Sequence, residues 1–321
     1  MPPHATEPST LYEIRHVTVY EYAAATPFAR HLLRLTPGDW PGQDVVESEL
    51  SFDPEPDERT DRLDTLGNRI TQIAYNLPHT RLVVTARAHI RVSAQTPSDE
   101  SLVASPAWDA IAETVLADRT LDGLAPVHFL FASRFVPLIG PAATFAATSL
   151  PAGRPLLVAT LDLARRIHRE FTYDPAATTV STPLTEVMRQ KRGVCQDFAH
   201  LMIAGLRAHG IPAAYVSGYL RTVPPPGQKR LEGADAMHAW VAVWAGPQQG
   251  WVGVDPTNAI MAGESHVVVA IGRDYSDVSP IDGVVVTSGP QGLRVAVDVV
   301  ELPPESSAGS VRKAGFAIET A

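Results

Sequence analysis

A single cysteine, Cys195, follows the glycine turn Arg192-Gly193-Val194 and opens a stretch whose apolar residues, Phe198, Leu201, Met202 and Leu206, keep helical spacing. A thiol at the start of a helix lies where unpaired amides and the helix dipole favour an anion. The same amides could receive the oxyanion formed when a thiolate attacks a carbonyl. Downstream, His238 begins the apolar run Ala239-Trp240-Val241-Ala242-Val243-Trp244, and Asp255 closes Trp251-Val252-Gly253-Val254 ahead of Pro256. A ring at the edge of a buried strand is held rigidly enough to keep a thiol deprotonated and then to protonate a leaving amine. A carboxylate behind it fixes the tautomer and stabilises the imidazolium. Cysteine, histidine and aspartate in that order are the parts of a thiol-based acyl-transfer site. Plainer alternatives stand beside it: a cysteine packed as a small hydrophobe, one histidine among 11, and an Asp-Pro turn.

The elements needed to position these groups are legible around them. Thr182-Pro183 offers an N-cap and first-turn proline for a helix that stops at Gly193. The helix opened by Cys195 ends at His209-Gly210-Ile211-Pro212, with glycine as the left-handed cap. Strands are predicted over 213–220, 239–245 and 250–254, then 267–271, 283–286 and 293–300. Residues 11–95 read as β-structure of a sandwich or small barrel. Leu82, Val84, Ala86, Ala88, Ile90 and Val92 there alternate with Thr85, Arg87, His89 and Arg91, the period of a strand with one buried face. The division predicted is 1–95 as an N-terminal β-domain, 96–150 as a mostly helical connector broken by Pro126, Pro137 and Pro141, 151–302 as the core, and 303–321 as a loose tail.

With 321 residues, 45% hydrophobic and 19% charged, the chain is long enough for two folded domains. Its 26 basic and 35 acidic side chains give a net charge of −9, which disfavours nucleic acid and anionic lipid as partners. One cysteine excludes an intramolecular disulfide. Neither a signal peptide over Met1 to Glu7 nor an apolar run of the roughly 18 residues needed to span a membrane is apparent, so a cytoplasmic location is expected.

The segments Gly193-Val194-Cys195-Gln196-Asp197-Phe198-Ala199-His200, His238-Ala239-Trp240-Val241 and Gly250 to Asn258 resemble the three core motifs of the bacterial transglutaminase-like superfamily. Gly272-Arg273-Asp274-Tyr275-Ser276-Asp277-Val278 is similar to a segment such proteins carry after the core, and the N-terminal strands, with Leu66-Gly67-Asn68, resemble the β-domain that precedes it. The resemblance implies an α+β fold: a papain-like core, its cysteine-bearing helix packed on an antiparallel sheet, preceded by the β-domain. It implies Cys195 as nucleophile, His238 as base and Asp255 as its orienter. The family spans amide cross-linkers, proteases, glycanases and inactive scaffolds, so membership fixes a site better than a reaction.

Asp197, Trp240 and Asp274 are secondary candidates for substrate contact, and Tyr219 and Trp251 for lining a cleft; each has an ordinary structural alternative. No cofactor or metal is expected. No calcium loop or paired-cysteine zinc motif is present, and Cys195 and His200 stand on different faces of their helix, which disfavours a site with His238. The expectation is a thiol enzyme acting on an amide in a peptide or protein substrate through a thioester, with hydrolysis favoured over cross-linking. A non-catalytic peptide-binding protein on the same fold is the competing reading.

Overall fold

The computed structural model describes residues 9–93, 96–117, 120, 122–222, 233 and 235–303. Six strands come first: β1 (Thr10–Thr26), β2 (Phe28–Leu33), β3 (Gln43–Asp53), β4 (Glu58–Leu63), β5 (Arg69–Tyr75) and β6 (His79–Val92). The alternation read in β6 is real, with Leu82, Val84, Ala86, Ala88, Ile90 and Val92 all buried. The short helices α1 (Asp99–Val103), α2 (Trp108–Thr114) and α3 (Gly140–Ala147) follow, then α4 (Leu156–Glu170), β7 (Thr172–Tyr173), α5 (Leu184–Gln190), β8 (Arg192–Gly193) and α6 (Cys195–Ala208). The remaining strands are β9 (Ala213–Leu220), β10 (Met237–Trp244), β11 (Trp251–Asp255), β12 (Ile260–Met261) and β13 (His266–Gly272). After α7 (Tyr275–Val278) come β14 (Ile281–Val286) and β15 (Gln291–Leu302).

Strands β9 to β13 form an antiparallel sheet in the order β12-β11-β10-β9-β13. Helix α6 packs on one face of it. Its residues Phe198 to Arg207 are buried almost all round, because α3, α4 and α5 cover the side away from the sheet. The approach of α3 is close: a Cβ on Gly205 would lie 2.7 Å from that of Ala146. Leu102, Ile111, Val136 and Ala142 join the same apolar cluster as α6, so the stretch expected as a connector is part of the core.

The last two strands correct the predicted core boundary at 302. They leave the core and complete the N-terminal domain, giving two four-stranded sheets in the orders β15-β1-β6-β3 and β14-β2-β5-β4. Strand pairing is set by edges that need satisfying rather than by sequence neighbourhood, and β1 and β2 each offer an open edge to them. The expected N-terminal sandwich is therefore closed by residues from the other end of the chain. The tail predicted from 303 lies, beyond that first residue, outside the described residues.

One face of β1 serves both halves of the protein. Tyr12 and Ile14 pack with Val297 and Val299 against Tyr219 and Val267 of the core sheet, whereas Tyr20 and Tyr22 further along join the sandwich interior with Leu82 and Val84. The sandwich is thereby fixed to the sheet that carries the candidate site.

Candidate active site

Cys195 is the first residue of α6, half-buried, with Val194 as an extended N-cap. Valine has no oxygen to offer the turn, and Asp197 reaches back instead. Its Oδ2 accepts the Val194 amide at 2.9 Å and the Thr178 hydroxyl at 2.6 Å. Gly193 is required by this arrangement, since a Cβ there would lie 2.6 Å from the same carboxylate oxygen. Burial raises the Asp197 pKa against the two hydrogen bonds that lower it.

His238 stands at the start of β10 and Asp255 at the end of its neighbour β11, so the antiparallel pairing brings them to one end of the sheet. His238 Nε2 donates to Asp255 Oδ2 at 2.8 Å. Cys195 lies close enough to the ring to help raise its pKa; with Nε2 committed to the carboxylate, Nδ1 is the nitrogen left for sulfur. Trp240 stacks on the ring at 25° with centroids 6.1 Å apart.

The carboxylate is held from every side. The amides of Thr257 and Asn258 donate to Oδ1 at 2.9 and 3.1 Å, and Asn258 Nδ2 donates to Oδ2 at 2.7 Å. A second histidine completes the set. The Gly263 amide donates to His266 Nδ1, placing the ring proton on Nε2, which donates to Asp255 Oδ2 at 3.3 Å. Burial alone would lower the His238 pKa and raise that of Asp255. The hydrogen bonds and the opposite charges overcome it, carrying His238 from 6.5 up to about 9 and Asp255 well below the usual carboxylate range. An imidazolium at neutral pH, anchored by a permanent carboxylate, is the partner a thiolate needs.

The three residues predicted as a triad are thus brought together. The secondary candidates are each engaged within the chain itself. Asp274 is fully buried and caps α7, its Oδ1 accepting from Ser276 and its Oδ2 from the Phe135 amide at 2.8 Å. Asp197 is spent on the turn before Cys195, and Trp240, 2% exposed, supports the imidazole from behind. In this structure each supports the fold or the triad. Tyr219 is buried with its hydroxyl 3.0 Å from His16 Nδ1, and Trp251 donates to the Leu124 carbonyl. His200 accepts the Tyr275 amide deep in the core, where burial lowers it to about 4.

His266 and Asn258 are functional neighbours that sequence reasoning missed. The signal for His266 was present: it heads Val267-Val268-Val269-Ala270 much as His238 heads its own apolar run. Among the described residues, His238, Asp255 and His266 are the one grouping with metal-ligand chemistry, their facing atoms within 4.8 Å of one another. Both histidine nitrogens that face Asp255 carry protons in this network, so the grouping is satisfied by hydrogen bonds as it stands.

A helix-borne thiol facing a histidine–aspartate pair on an antiparallel sheet is the layout of papain-like cysteine sites. Comparison with known proteins agrees. Residues 12–91 match the bacterial transglutaminase-like N-terminal region and residues 147–256 the transglutaminase-like superfamily. An uncharacterized protein of Mycobacterium tuberculosis is 38% identical over 301 residues, covering 90% of this chain and 92% of its own. One from Mycobacterium leprae is 32% identical over 289 residues, covering 89% and 97%. The chain belongs to the bacterial transglutaminase-like family. A protein-glutamine gamma-glutamyltransferase of Pseudomonas aeruginosa is 36% identical over 103 residues, 30% of this chain and 15% of that one. Among solved structures, a provisionally assigned cysteine protease from Cytophaga hutchinsonii shares the fold with a TM-score of 0.72 at 18% identity, covering 94% of this chain and 93% of that one. Among the described residues, no helix is long and apolar enough to cross a membrane.

Proposed function

We propose that the protein is a thiol-dependent acyl-transfer enzyme that cleaves an amide in a peptide or protein substrate, with water as the acceptor. The observation that carries this reading is the His238 ring, engaged by Asp255 at 2.8 Å and by Cys195, with its pKa raised to about 9. Cys195 Sγ forms a bond to the carbonyl carbon, and the displaced electron pair is received by the amides at the start of α6. The imidazolium of His238 gives its proton to the nitrogen as the carbon–nitrogen bond breaks, leaving a thioester and a free amine. Water then attacks the thioester, His238 takes its proton, and the carboxylic acid leaves as the thiolate returns. Asp255 stays ionised throughout and holds the ring in place.

A second reading replaces water with a primary amine and so joins two chains. It is favoured by the likeness of the core segment to the Pseudomonas aeruginosa glutamyltransferase. One experiment tests both. The protein is mixed with p-nitrophenyl acetate, quenched in acid and mapped by peptide mass, with and without an added alkylamine. An acetyl group on the Cys195 peptide, absent in Cys195→Ala and slow to form in His238→Ala, is expected. Acetate as the product even with amine present supports hydrolysis, and the N-alkyl acetamide supports transfer. Equal labelling of wild type and His238→Ala would remove the triad from the reaction and leave a peptide-binding role on the same fold.

A further inference from the structure

A cavity of 290 Å³ opens where the sandwich meets the core, and nothing in the triad's chemistry uses it. One wall is the face of β1 and β15 between the two apolar clusters: Thr18, Tyr20, Leu293 and Val295, which the register sets side by side as Thr18 with Val295 and Tyr20 with Leu293. Along β15 this face continues into Val297 and Val299, which are buried against the core sheet. Leu293 and Val295 carry the same apolar face past the contact and remain 57% and 51% exposed. Among the described residues they are apolar side chains that line a cavity.

The other wall belongs to the candidate active site's own elements. Met237 immediately precedes His238, and Tyr275 packs edge-on against Tyr215 at 6.3 Å. Tyr215 sits close enough to Cys195 for the sulfur's charge to help hold its phenol neutral, after burial has done most of it. In β9 and β10, Tyr215, Ala239 and Val241 join the apolar cluster under α6, and Met237 lies on the same side of the sheet by its alternation. The cavity is therefore on the face of the sheet that α6 covers, at the end of β10 where Met237 adjoins His238.

The polar side chains His16, Thr18 and Asp235 in its walls are already engaged. His16 is held between the Tyr219 hydroxyl at 3.0 Å and the Thr18 hydroxyl at 3.1 Å, and burial lowers it to about 4, so the ring is neutral. Asp235, at the margin, accepts from the Val299 amide at 2.9 Å and from Thr222. A charged guest would surrender hydration here without a dedicated partner, whereas an apolar one would cover Leu293 and Val295.

We propose that this cavity is the subsite for a large apolar side chain, of the leucine, methionine or phenylalanine class, adjacent to the amide that Cys195 attacks. The proposal rests on the acyl-transfer reading above, and it assigns the sandwich a part in choosing the substrate.

The test uses acyl-aminoacyl fluoromethyl ketones carrying Gly, Leu, Phe, Lys or Glu beside the reactive group, which alkylate the thiolate with loss of fluoride. Alkylation of Cys195 in the full chain is followed by intact mass, with iodoacetamide as a probe that needs no subsite. Leu and Phe probes should react roughly tenfold or more faster than Gly, with Lys and Glu no faster than Gly. In Val295→Glu and Leu293→Glu the Leu-to-Gly ratio should fall to about one. In Val284→Glu, an exposed position of β14 that does not line the cavity, it should persist. Equal rates across the panel, a Lys preference, or an unchanged ratio in Val295→Glu would overturn the subsite while leaving the nucleophile intact. If iodoacetamide and every probe label wild type no faster than His238→Ala, the acyl-transfer reading falls, and the subsite with it.

Discussion

Replacing Asp255 by asparagine isolates what the carboxylate does. Asparagine keeps an oxygen for the Thr257 and Asn258 amides, so the turn after β11 survives. It removes the charge and presents an amide nitrogen to the donors on His238, His266 and Asn258. In the wild type the rise of His238 from 6.5 to about 9 corresponds to roughly 3 kcal/mol of preference for the imidazolium, at about 1.4 kcal/mol per pH unit. Asp255 supplies the larger part of it and Cys195 the rest. Without the carboxylate, burial is no longer offset, and the His238 pKa should fall by about 1–2 pH units by the same conversion. The acylation rate should fall roughly 10- to 1,000-fold, the range over which a positioned acid–base group acts. Stability supplies a second readout. A histidine whose folded pKa is raised contributes stability that is fully present below the unfolded value and lost as pH rises through the folded one. Wild type should therefore lose up to about 3 kcal/mol between pH 6.5 and 9, and Asp255→Asn much less. The assay is a ring-proton NMR titration of His238 alongside urea unfolding at pH 6 and 9.5. An unchanged His238 pKa in a folded variant that acylates at the wild-type rate would refute the reasoning and leave Asp255 as a turn former.

Removing His266 takes one donor from Asp255 and leaves a more basic carboxylate, so His266→Ala should raise the His238 pKa and slow acylation, with His266→Gln restoring part of both. The same NMR titration decides, because a purely structural defect would not move that pKa upward. His16, His31 and His200 are lowered to about 4 by burial, so their contribution is fully present above 6.5 and lost as pH falls through about 4, at most roughly 3 kcal/mol each. Unfolding free energy should drop steeply across that acid window, and His31→Phe should flatten it; an unaltered slope would count against a neutral buried His31. Acylation should survive exhaustive chelation, and loss restored by one particular metal would place that ion at His238, Asp255 and His266.

How much was legible depended on whether the signal was local. The triad could be read because each member terminates or begins an element whose pattern is written in its own neighbours: glycine before Cys195, an apolar strand after His238, another before Asp255. The β6 alternation was legible for the same reason. Helix α5 was half legible: it begins at Leu184 with Pro183 in the cap position, not Thr182, and it ends where Lys191 takes a left-handed φ of 52°, which its side chain does not announce. The amide partners of Asp197 and Asp274 were not legible, because a polar residue beside a motif looks alike whether it faces substrate or an amide of its own chain. The β14 and β15 strands were visible as strands, yet their partners were not, since antiparallel pairing carries no local record of which edge it will satisfy.

That pairing also sets an order of assembly. Synthesis delivers β1 and β2 first and their outer partners β15 and β14 only after the whole core. In the interval the sandwich has two raw edges, the condition in which strands recruit one another between chains. On refolding of the full chain, amide protection in β6, flanked on both sides by early strands, should precede protection of the β1 amides that face β15. Simultaneous protection would mean that the edges close as one event. With delayed closure, the proposed nucleophile is in place before Leu293 and Val295 arrive, and on the readings proposed above a newly made chain would pass through a stage in which it reacts without yet discriminating.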